Sequence, residues 1–508
     1  MRKWLPLFAA CLGTLMLLID VTIVNVALPD MAADLDTGLS GLQWIVDGYA
    51  LALAALLLVL GSLADRLGAK PVYLAGLALF AVSSLACGMA GDTSILVLAR
   101  VFQGIGGAAM FATTLSLLHA TYTGRDRGIA FGAWGAVSGA AAALGVVLGG
   151  VLTDLLSWRW IFFVNLPIAA VTIAMSIVVF PASQRNSGHR VDLPGMLAFT
   201  VAATGITFGI IRGGEHGWDD GGALTTLLLG IAAAALFVLV ESRSAAPMLP
   251  LRLLGNRTFA GTLLGASGQT FAAFAASPLI SLWLQQQLHM SPLRTGLALL
   301  PMAVTAFVVA GATGRFLHDA AAQWTIGAGL IVIGIGAGLL TLVDSGSSWT
   351  ALIPGLVVIG AGAGINAPAL VSTGMAAVPP RQSGTAAGAV NTARQLGLAL
   401  GVAVLGTVFR SGAGDARPTP PGRFVDGLDT AFTVAGVVGL VFGAVAFALL
   451  RRTQVQSPPV TPVAVAGGGF AEPPTPPPPH KKGSPQRFPK NHRQKLLKTE
   501  HGHAHPNA

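Results

Sequence analysis

The sequence predicts an all-α integral membrane protein in which fourteen helices cross the bilayer. Of its 508 residues, 53% are hydrophobic and only 10% are charged, whereas soluble domains carry about 25% charged residues. The apolar residues form runs of about 20, the length of helix that spans a hydrocarbon core of ~30 Å. The 65 glycines suit closely packed helices, because lipid provides no hydrophobic force that drives helices together. This composition excludes an ordinary soluble protein.

Polar turns separate the apolar runs, and we predict one helix for each run. The predicted spans are 5–28, 42–63, 72–91, 94–119, 130–153, 160–180, 195–212, 223–241, 260–286, 296–316, 324–343, 351–375, 384–408 and 430–450. Polar, basic segments on either side set the seventh and eighth spans apart from the others. We therefore predict a six-plus-two-plus-six arrangement, with an N-terminal half at 1–182, inserted helices with their loops at 183–258, and a C-terminal half at 259–450.

The segment 451–508 differs abruptly in composition from the rest of the chain. It is rich in proline and ends in HGHAH, and such a segment cannot bury a core. We predict a disordered cytoplasmic tail. Its three terminal histidines, His501, His503 and His505, are candidate metal ligands, but a solvated tail is the preferred interpretation, and we predict no metal site in the helices.

Basic residues are concentrated in the loops on one side of the predicted bundle, and that bias sets the orientation of membrane proteins. It places both termini in the cytoplasm and predicts a multi-pass protein of the cell inner (plasma) membrane. The net charge of +9 is accounted for by these loops and the tail, so we predict no nucleic-acid partner. The basic residues are Arg66, Lys70, Arg125, Arg127, Arg185, Arg190, Arg243, Arg252, Arg257, Arg315 and Arg381.

Asp20 is the acid that lies farthest from any predicted helix end. At ~1.5 Å rise per residue it lies about 13 Å from Pro29, near the middle of the bilayer. A charge there costs at least about 2.5 to 3.5 kcal/mol, so Asp20 should face protein or a water-filled cavity. A functional acid is the default interpretation. Asp47, near the end of the second span, is the other acid that could approach a cavity, although an exposed helix-terminal acid is the preferred interpretation.

The fifth and thirteenth spans are crowded with small residues and are counterparts in the two halves. Glycines four residues apart share one helical face, and that spacing lets a neighbouring helix approach closely. Ordinary tight packing explains any single pair, whereas a matched pattern in both halves favours an interface that moves. The glycines that we assign to such interfaces are Gly145, Gly149, Gly150, Gly397 and Gly401.

The loop between the second and third spans reads Gly61-Ser-Leu-Ala-Asp65-Arg66-Leu-Gly68-Ala-Lys70. An acid and two bases at a helix junction can bind a neighbouring helix end in one conformation and release it in another, so we predict a conformational latch. The alternative is a solvated turn that orients the helices. This motif resembles the loop signature of the major facilitator superfamily, although alanine replaces a usual basic residue.

The resemblance extends over roughly residues 5 to 450. The segments DVTIVNVALP from Asp20, WRWIFFVNLP from Trp158 and NTARQ from Asn391 are similar to motifs of the fourteen-span drug:proton antiporter branch. The resemblance implies the major facilitator fold and export of lipophilic drugs or antibiotics in exchange for protons. It further implies a monomer that uses the proton gradient and no bound cofactor. Val146 replaces the proline of the antiporter motif in the fifth span, which removes a site where the helix could kink, whereas the glycines of the motif are present.

Arg100 and Gln103 lie in the fourth span, in RVFQG, again similar to the superfamily pattern. An arginine within a span needs a partner, and the resemblance suggests that Arg100 takes part in proton transfer with Asp20. A structural arginine that bonds backbone groups is the alternative. The polar residues that we assign to the cavity or substrate are Asn25, Gln103, Asn391, Arg394 and Gln395.

Motifs that the sequence lacks narrow the function further. It contains no G-x-x-x-x-G-K-[ST] nucleotide loop and no H-E-x-x-H metal motif, so we predict that it is not an enzyme and draws energy from an ion gradient or a partner. A dedicated exporter of one metabolite or self-made antibiotic would share every motif. A channel or a membrane enzyme is the third possibility. The sequence shows neither the pore-lining filter loop expected of a channel nor the clustered catalytic groups expected of an enzyme, so this class is not favoured.

Overall fold

The structure is a computed structural model that describes residues 2–181, 192–244, 247–316, 321–379, 382–414 and 420–450. All regular secondary structure in these residues is helical. The α-helices are α1 (Leu5–Asp34), α2 (Leu39–Leu67), α3 (Ala69–Gly88), α4 (Thr93–Thr121), α5 (Gly124–Leu155), α6 (Trp160–Phe163), α7 (Asn165–Val179), α8 (Leu193–His216), α9 (Gly221–Arg243), α10 (Arg257–Phe274), α11 (Ser277–Leu282), α12 (Pro292–Phe316), α13 (Ala328–Leu340), α14 (Ile353–Ala376), α15 (Ser383–Ala413) and α16 (Pro421–Leu450). Short 3-10 helices occupy Arg2–Trp4, Leu251–Gly255 and Trp349–Leu352, and π-helical turns occupy Trp283–Gln287 and Gln323–Gly327.

Each predicted span coincides with one of these helices or with consecutive helical segments. Among the described residues, thirteen helical stretches are long and apolar enough to cross a membrane, and α5 adds a shorter apolar stretch at Leu144–Leu155. Most helices extend beyond their predicted ends, as α1 does by continuing through Pro29 to Asp34. An apolar run marks the part of a helix that lies in hydrocarbon, whereas backbone hydrogen bonding continues into the polar ends. The predicted tail at 451–508 lies outside the described residues.

Small residues bring corresponding helices of the two halves into close contact. A Cβ atom on Gly149 of α5 would lie 2.8 Å from the carbonyl oxygen of Ile23 in α1. In the C-terminal half, a Cβ atom on Gly401 of α15 would lie 3.1 Å from the Cα atom of Phe271 in α10. Gly145 and Gly397 make similarly close approaches one turn earlier in each helix. These glycines therefore lie at the α1–α5 and α10–α15 interfaces, which are equivalent in the two halves.

The halves meet through α2 with α15 and through α5 with α12. Gln43 Nε2 of α2 donates to the carbonyl oxygens of Val402 at 3.0 Å and Ala403 at 3.3 Å. A Cβ atom on Gly150 would lie 2.8 Å from Leu293 Cα at the start of α12. These contacts, with a small apolar cleft beside Gln43, lie toward the Asp34 end of α1. One hydrophobic core joins both halves there, because it contains buried residues of α1, α2, α10, α11 and α15.

The hairpin of α8 and α9 packs against the α2–α15 junction through α8. The rings of Trp44 in α2 and Phe208 in α8 are 5.7 Å apart, and Thr407 Oγ1 of α15 donates to the carbonyl oxygen of Ile210 at 3.2 Å. At the turn of the hairpin Arg212 pairs with Asp220 at 2.6 Å. This hydrogen bond holds the pKa of Asp220 below its usual value. The hairpin is thus attached to both halves at their shared contact.

Candidate functional site

Asp20 lies at the middle of α1, and its side chain is completely buried. It is fifteen residues after Leu5 and fourteen before Asp34, so about 21 to 23 Å of helix separates it from each end. Helices α3, α4 and α7 surround it with polar side chains, as described below. The carboxyl group faces protein, as the sequence predicts for an acid at that depth.

Three side chains donate hydrogen bonds to the Asp20 carboxyl group. Arg100 Nη1 donates to Oδ2 at 2.5 Å, Gln103 Nε2 donates to Oδ1 at 2.8 Å, and Asn165 Nδ2 donates to Oδ1 at 3.1 Å. The donors come from two further helices, α4 and α7. A set of N–H donors that all point at one carboxyl group suits the ionised form, because a carboxylate only accepts hydrogen bonds. The short bond to Arg100 is of the charge-assisted kind, the stronger class.

Arg100 is itself fixed from several sides. Its Nε donates to the carbonyl oxygen of Ile45 in α2 at 3.2 Å, and its Nη1 also donates to Gln103 Oε1 at 2.8 Å. The Tyr49 ring lies against the guanidinium, 4.2 Å from Cζ to the ring centroid. It bonds a backbone carbonyl, as the structural interpretation expects, and it pairs with the buried acid; its part in proton transfer stays a prediction.

The interruption between α6 and α7 positions Asn165. The α-helix breaks at Val164, and Asn165 opens the next segment with its side chain buried. Its Nδ2 also donates to Ser84 Oγ of α3 at 3.0 Å, and Ser84 Oγ donates to the carbonyl oxygen of Phe162 at 2.9 Å. The polar network around Asp20 thus joins α1, α3, α4 and the α6–α7 break.

Sequence reasoning missed Asn165 and Ser84 as members of this site. Asn165 lies inside the segment WRWIFFVNLP, which we used only to support the resemblance. The available signal was an amide side chain within an apolar span, where an unpaired polar group is costly. Ser84 carried a weaker signal, because a serine in a membrane helix can satisfy itself by bonding its own backbone.

The structure contradicts the preferred interpretation of Asp47 as an exposed acid. Its side chain has zero exposure, and neither carboxyl oxygen has a hydrogen-bond partner in the structure. On α2 it lies one turn from Gln43, on the face that contacts α15. A carboxylate buried without partners is too costly to retain its charge. The prediction of an exposed group is therefore wrong.

The remaining cavity candidates stay apart from the Asp20 network. Asn25 of α1 is half-buried. Asn391 of α15 donates to the carbonyl oxygen of Ala387 in its own helix at 3.0 Å. Arg394 is half-buried, and Gln395 has a buried Oε1 without a partner. Of the five candidates, only Gln103 touches Asp20.

The predicted latch lies at the junction of α2 and α3. Gly68 joins the two helices with a φ of 99°, a left-handed conformation that favours glycine. Lys70 Nζ donates to the carbonyl oxygens of Ile177 and Phe180 at 2.7 Å each, at the end of α7. Arg66 is exposed. Gly61 lies near α4, where an added Cβ atom would be 3.9 Å from that of Ala112, and the Asp65 side chain lies outside the described part.

Comparison with known proteins identifies the chain's relatives. The model of the Major Facilitator Superfamily matches residues 10–402. The chain is 34% identical to the multidrug resistance protein Stp of Mycobacterium tuberculosis, over 80% of this chain and 75% of that protein. It is 33% identical to the methylenomycin A resistance protein of Streptomyces coelicolor, over 88% of this chain and 93% of that protein. It is 32% identical to the tetracenomycin C resistance and export protein of Streptomyces glaucescens, over 91% of this chain and 94% of that protein.

Two solved structures share the fold at low sequence identity. The human organic anion transporter MFSD10 (TETRAN) superposes with a TM-score of 0.60 at 18% identity, covering 88% of this chain and 99% of that chain. The peptide transporter POT in complex with sulfate gives a TM-score of 0.63 at 16% identity, covering 88% of this chain and 95% of that chain. Identities this low support the fold alone.

Proposed function

Because this chain belongs to the Major Facilitator Superfamily, an integral membrane family of transporters, we propose that it exports lipophilic drugs or antibiotics in exchange for protons. The observation that carries the proposal is the Asp20 site, an ion pair completely buried at the middle of a membrane helix. Ionisable residues are rare at that depth and mark proton or substrate pathways. The drug- and antibiotic-resistance names of the relatives support the same substrate class.

Proton binding at Asp20 would act by rearranging its partners. Protonation neutralises the carboxylate and removes the charge-assisted bond to Arg100, whose contacts with Ile45 and Gln103 remain. Asp20 is closed off from solvent in this conformation, so it can exchange a proton only after α1 moves relative to α4 or α7. The proton and the drug must favour different conformations of the bundle, since otherwise neither would drive the other.

The number, order and orientation of the spanning helices belong to the same proposal. We infer fourteen spanning helices in six-plus-two-plus-six order, with α8 and α9 as the inserted pair. The spread of lysine and arginine supports a plasma-membrane protein with both termini in the cytoplasm. The substrate would enter a cavity between the halves near the midplane, as in transporters that are built from repeats. We infer a monomer whose contacts are the lipid bilayer, protons and the substrate, with no nucleic acid.

Transport into everted membrane vesicles tests the proposal. Vesicles that contain the chain should accumulate ethidium or a radiolabelled antibiotic only while a proton gradient is present, and an uncoupler should abolish that uptake. The variant Asp20→Asn should insert at the same level and show no gradient-driven uptake. Full gradient-dependent uptake by Asp20→Asn would remove the assignment of this acid.

A dedicated exporter of one endogenous metabolite or self-made antibiotic is the second candidate. The names of two relatives favour it, because each name specifies a single antibiotic, methylenomycin A or tetracenomycin C. Susceptibility of a drug-sensitive strain to a panel of unrelated compounds separates the candidates. Protection against several chemical classes supports the broad exporter, and protection against one class supports the dedicated one.

A further inference from the structure

Arg394 is a basic residue deep within a membrane helix. It lies eleven residues after Ser383, the first residue of α15, and nineteen before Ala413, the last. At ~1.5 Å rise per residue these separations are about 16 Å and 28 Å. Its side chain is half-buried. A guanidinium at that depth costs at least about 2.5 kcal/mol to insert unless something compensates its charge.

No partner compensates that charge within the part of the chain that the structure describes. The described ion pairs engage Lys3, Arg100, Arg159 and Arg212, and none engages Arg394. Its guanidinium donates no hydrogen bond to a described residue and lies over no described aromatic ring. Arg100, at a similar depth in α4, has three acceptors and a tyrosine ring. Arg394 is therefore a cation whose acceptors must come from elsewhere.

The contacts of α15 show which way its faces point. Thr392 Oγ1 donates to the carbonyl oxygen of Ala54 in α2 at 3.4 Å, and Ala399 shares a core cluster with Ala203 of α8. A Cβ atom on Gly397 would meet Thr270 of α10. Buried residues on these faces thus contact α2, α8 and α10.

A further face of α15 packs on α16 toward Ala413, where the Phe409 and Phe424 rings are 4.9 Å apart, and is only partly covered earlier in the helix, around Arg394. Asn391, Arg394 and Leu398 follow the i, i+3, i+7 spacing of one helical face, and all three are half-buried. At 100° per residue this face lies between the side of Thr392, which contacts α2, and the side of Gly397, which contacts α10. Because α2 belongs to the N-terminal half and α10 to the C-terminal half, this face points to the space between the halves.

We propose that Arg394 anchors the anionic group of a lipophilic acid, so that the substrates of this transporter carry a carboxylate or sulfonate on an apolar frame. The inference rests on the proposed export function and names its substrate class. The planar guanidinium offers five N–H donors in a fork that matches the two oxygens of such a group. Half-buried Leu398, one turn away in α15, provides apolar surface, and half-buried Phe271 of α10 adds more further along α15, against Gly401. A cationic drug would meet like charge at this position.

A matched pair of probes tests the proposal. The full chain is placed in nanodiscs of phosphatidylcholine, and equilibrium binding is measured for 8-anilinonaphthalene-1-sulfonate and for N-phenyl-1-naphthylamine, which has the same aromatic frame without the sulfonate. We expect the sulfonate to bind at least about tenfold more tightly than the neutral probe. Arg394→Gln should weaken sulfonate binding by about ten- to a hundredfold, because removing one member of a desolvated charge pair has effects of this size.

The control variants separate a charge effect from a general defect. Arg394→Gln should leave binding of the neutral probe unchanged, and Arg394→Lys should retain part of the preference for sulfonate. Arg410→Gln changes an arginine near the end of the same helix and should leave both affinities unchanged. Equal binding of the two probes by the unaltered chain would overturn the proposal, as would an equal loss of both in Arg394→Gln.

The headgroup of an anionic lipid could occupy the same site as an anionic substrate. Nanodiscs that contain phosphatidylglycerol distinguish these two ligands. Competition by that lipid in the unaltered chain but not in Arg394→Gln would assign the site to a headgroup and overturn the claim about substrates. If phosphatidylglycerol leaves the sulfonate affinity of the unaltered chain unchanged, the result supports the claim about substrates. Binding needs no proton gradient, so sulfonate preference can persist if proton coupling fails in vesicles, and the two proposals can fail separately.

Discussion

At the scale of single residues, the Asp20–Arg100 pair derives its importance from how completely both groups are removed from solvent. The side chains are 0% and 2% exposed. A buried ion pair contributes little net stability, yet removing one partner costs about 3 to 5 kcal/mol because the other charge is left uncompensated. In the proposed mechanism, protonation of Asp20 would therefore change a large local energy, as a coupling group requires.

Arg100→Lys tests whether the geometry of the guanidinium matters beyond its charge. Lysine keeps the charge but cannot bond Asp20, Gln103 and Ile45 from one planar group. We expect gradient-driven transport to fall at least tenfold and the melting temperature in detergent to drop. Arg159→Lys is the matched control, since Arg159 pairs with Asp34 at partly exposed positions; it should change stability by less than about 1 kcal/mol. Equal effects of the two variants would contradict a special role for Arg100.

Asn165→Ala tests the residue that sequence reasoning missed. Alanine removes a donor to Asp20 and to Ser84, and leaving such buried groups with fewer partners costs about 1 to 3 kcal/mol. We expect transport to fall more steeply than in Thr172→Val on the same helix. Thr172 is also buried but bonds only the Ile168 carbonyl of its own helix. Transport rates normalised to the inserted protein provide the comparison, and an unimpaired Asn165→Ala would reduce this residue to packing.

Asp47→Leu tests whether the buried acid is kept at the expense of stability. Neither carboxyl oxygen has a partner, so a leucine of similar length removes two unsatisfied polar atoms. We expect a higher melting temperature in detergent, by an amount that corresponds to about 1 to 3 kcal/mol. A lower melting temperature would mean that Asp47 has polar partners in the solubilised protein.

At the scale of helices, α5 and α15 make close glycine-mediated contacts with α1 and α10. Both interfaces place glycines within close reach of a neighbouring backbone. Contacts of this kind hold helices together by packing alone, since lipid does not drive their association. Because glycine has no side chain, the neighbouring helix can approach closely at these positions.

Gly149→Ala tests that contact. The added methyl group would lie 2.8 Å from the Ile23 carbonyl oxygen, so α1 and α5 must separate, at a cost of about 1 to 3 kcal/mol. We expect a lower melting temperature and slower transport. Gly311→Ala is the control in α12, where nothing lies within 4 Å of the added atom; alanine should be neutral or stabilise by up to about 1 kcal/mol. A harmless Gly149→Ala would show that the contact is loose.

At the scale of the whole molecule, the contacts between the halves close the bundle toward the Asp34 end of α1. Gln43 bonds two carbonyl groups of α15, and Gln285 Nε2, just after α11, donates to the Val26 carbonyl oxygen at 2.8 Å. A cavity that opens in alternation on the two sides requires these contacts to break in each cycle. In the proposed transport cycle, this end would therefore act as a gate.

A reversible cross-link between Gln43→Cys and Gly406→Cys tests the gate. An added Cβ atom at 406 would lie 2.7 Å from Gln43 Cδ, so the two Cβ atoms fall roughly within reach of a disulfide. We expect oxidation to stop transport and a reductant to restore it. Each single variant should transport under oxidising conditions, because the native Cys11 and Cys87 are both buried. Full transport by the cross-linked protein would show that the halves stay together at this end.

The sequence by itself determined the helices, the family and the central acid. Apolar runs of bilayer length report spanning helices directly, because each helix satisfies its own backbone and must be apolar where lipid surrounds it. A charge in the middle of such a run, as at Asp20, is costly enough to be informative without coordinates. The breaks at Val164 and after Phe274 were not predicted, since their residues are as apolar as those of an unbroken helix.

Only the tertiary structure decided which residues meet. Arg100, Gln103, Asn165 and Ser84 come from three helices that are distant in sequence, and their convergence on Asp20 depends on how the helices are packed and rotated. The same packing buried Asp47, whose carboxyl group has no partner among the described residues, and left Arg394 half-buried. Helix rotation is set by many weak contacts between small side chains, and a single sequence does not encode those contacts in any local pattern.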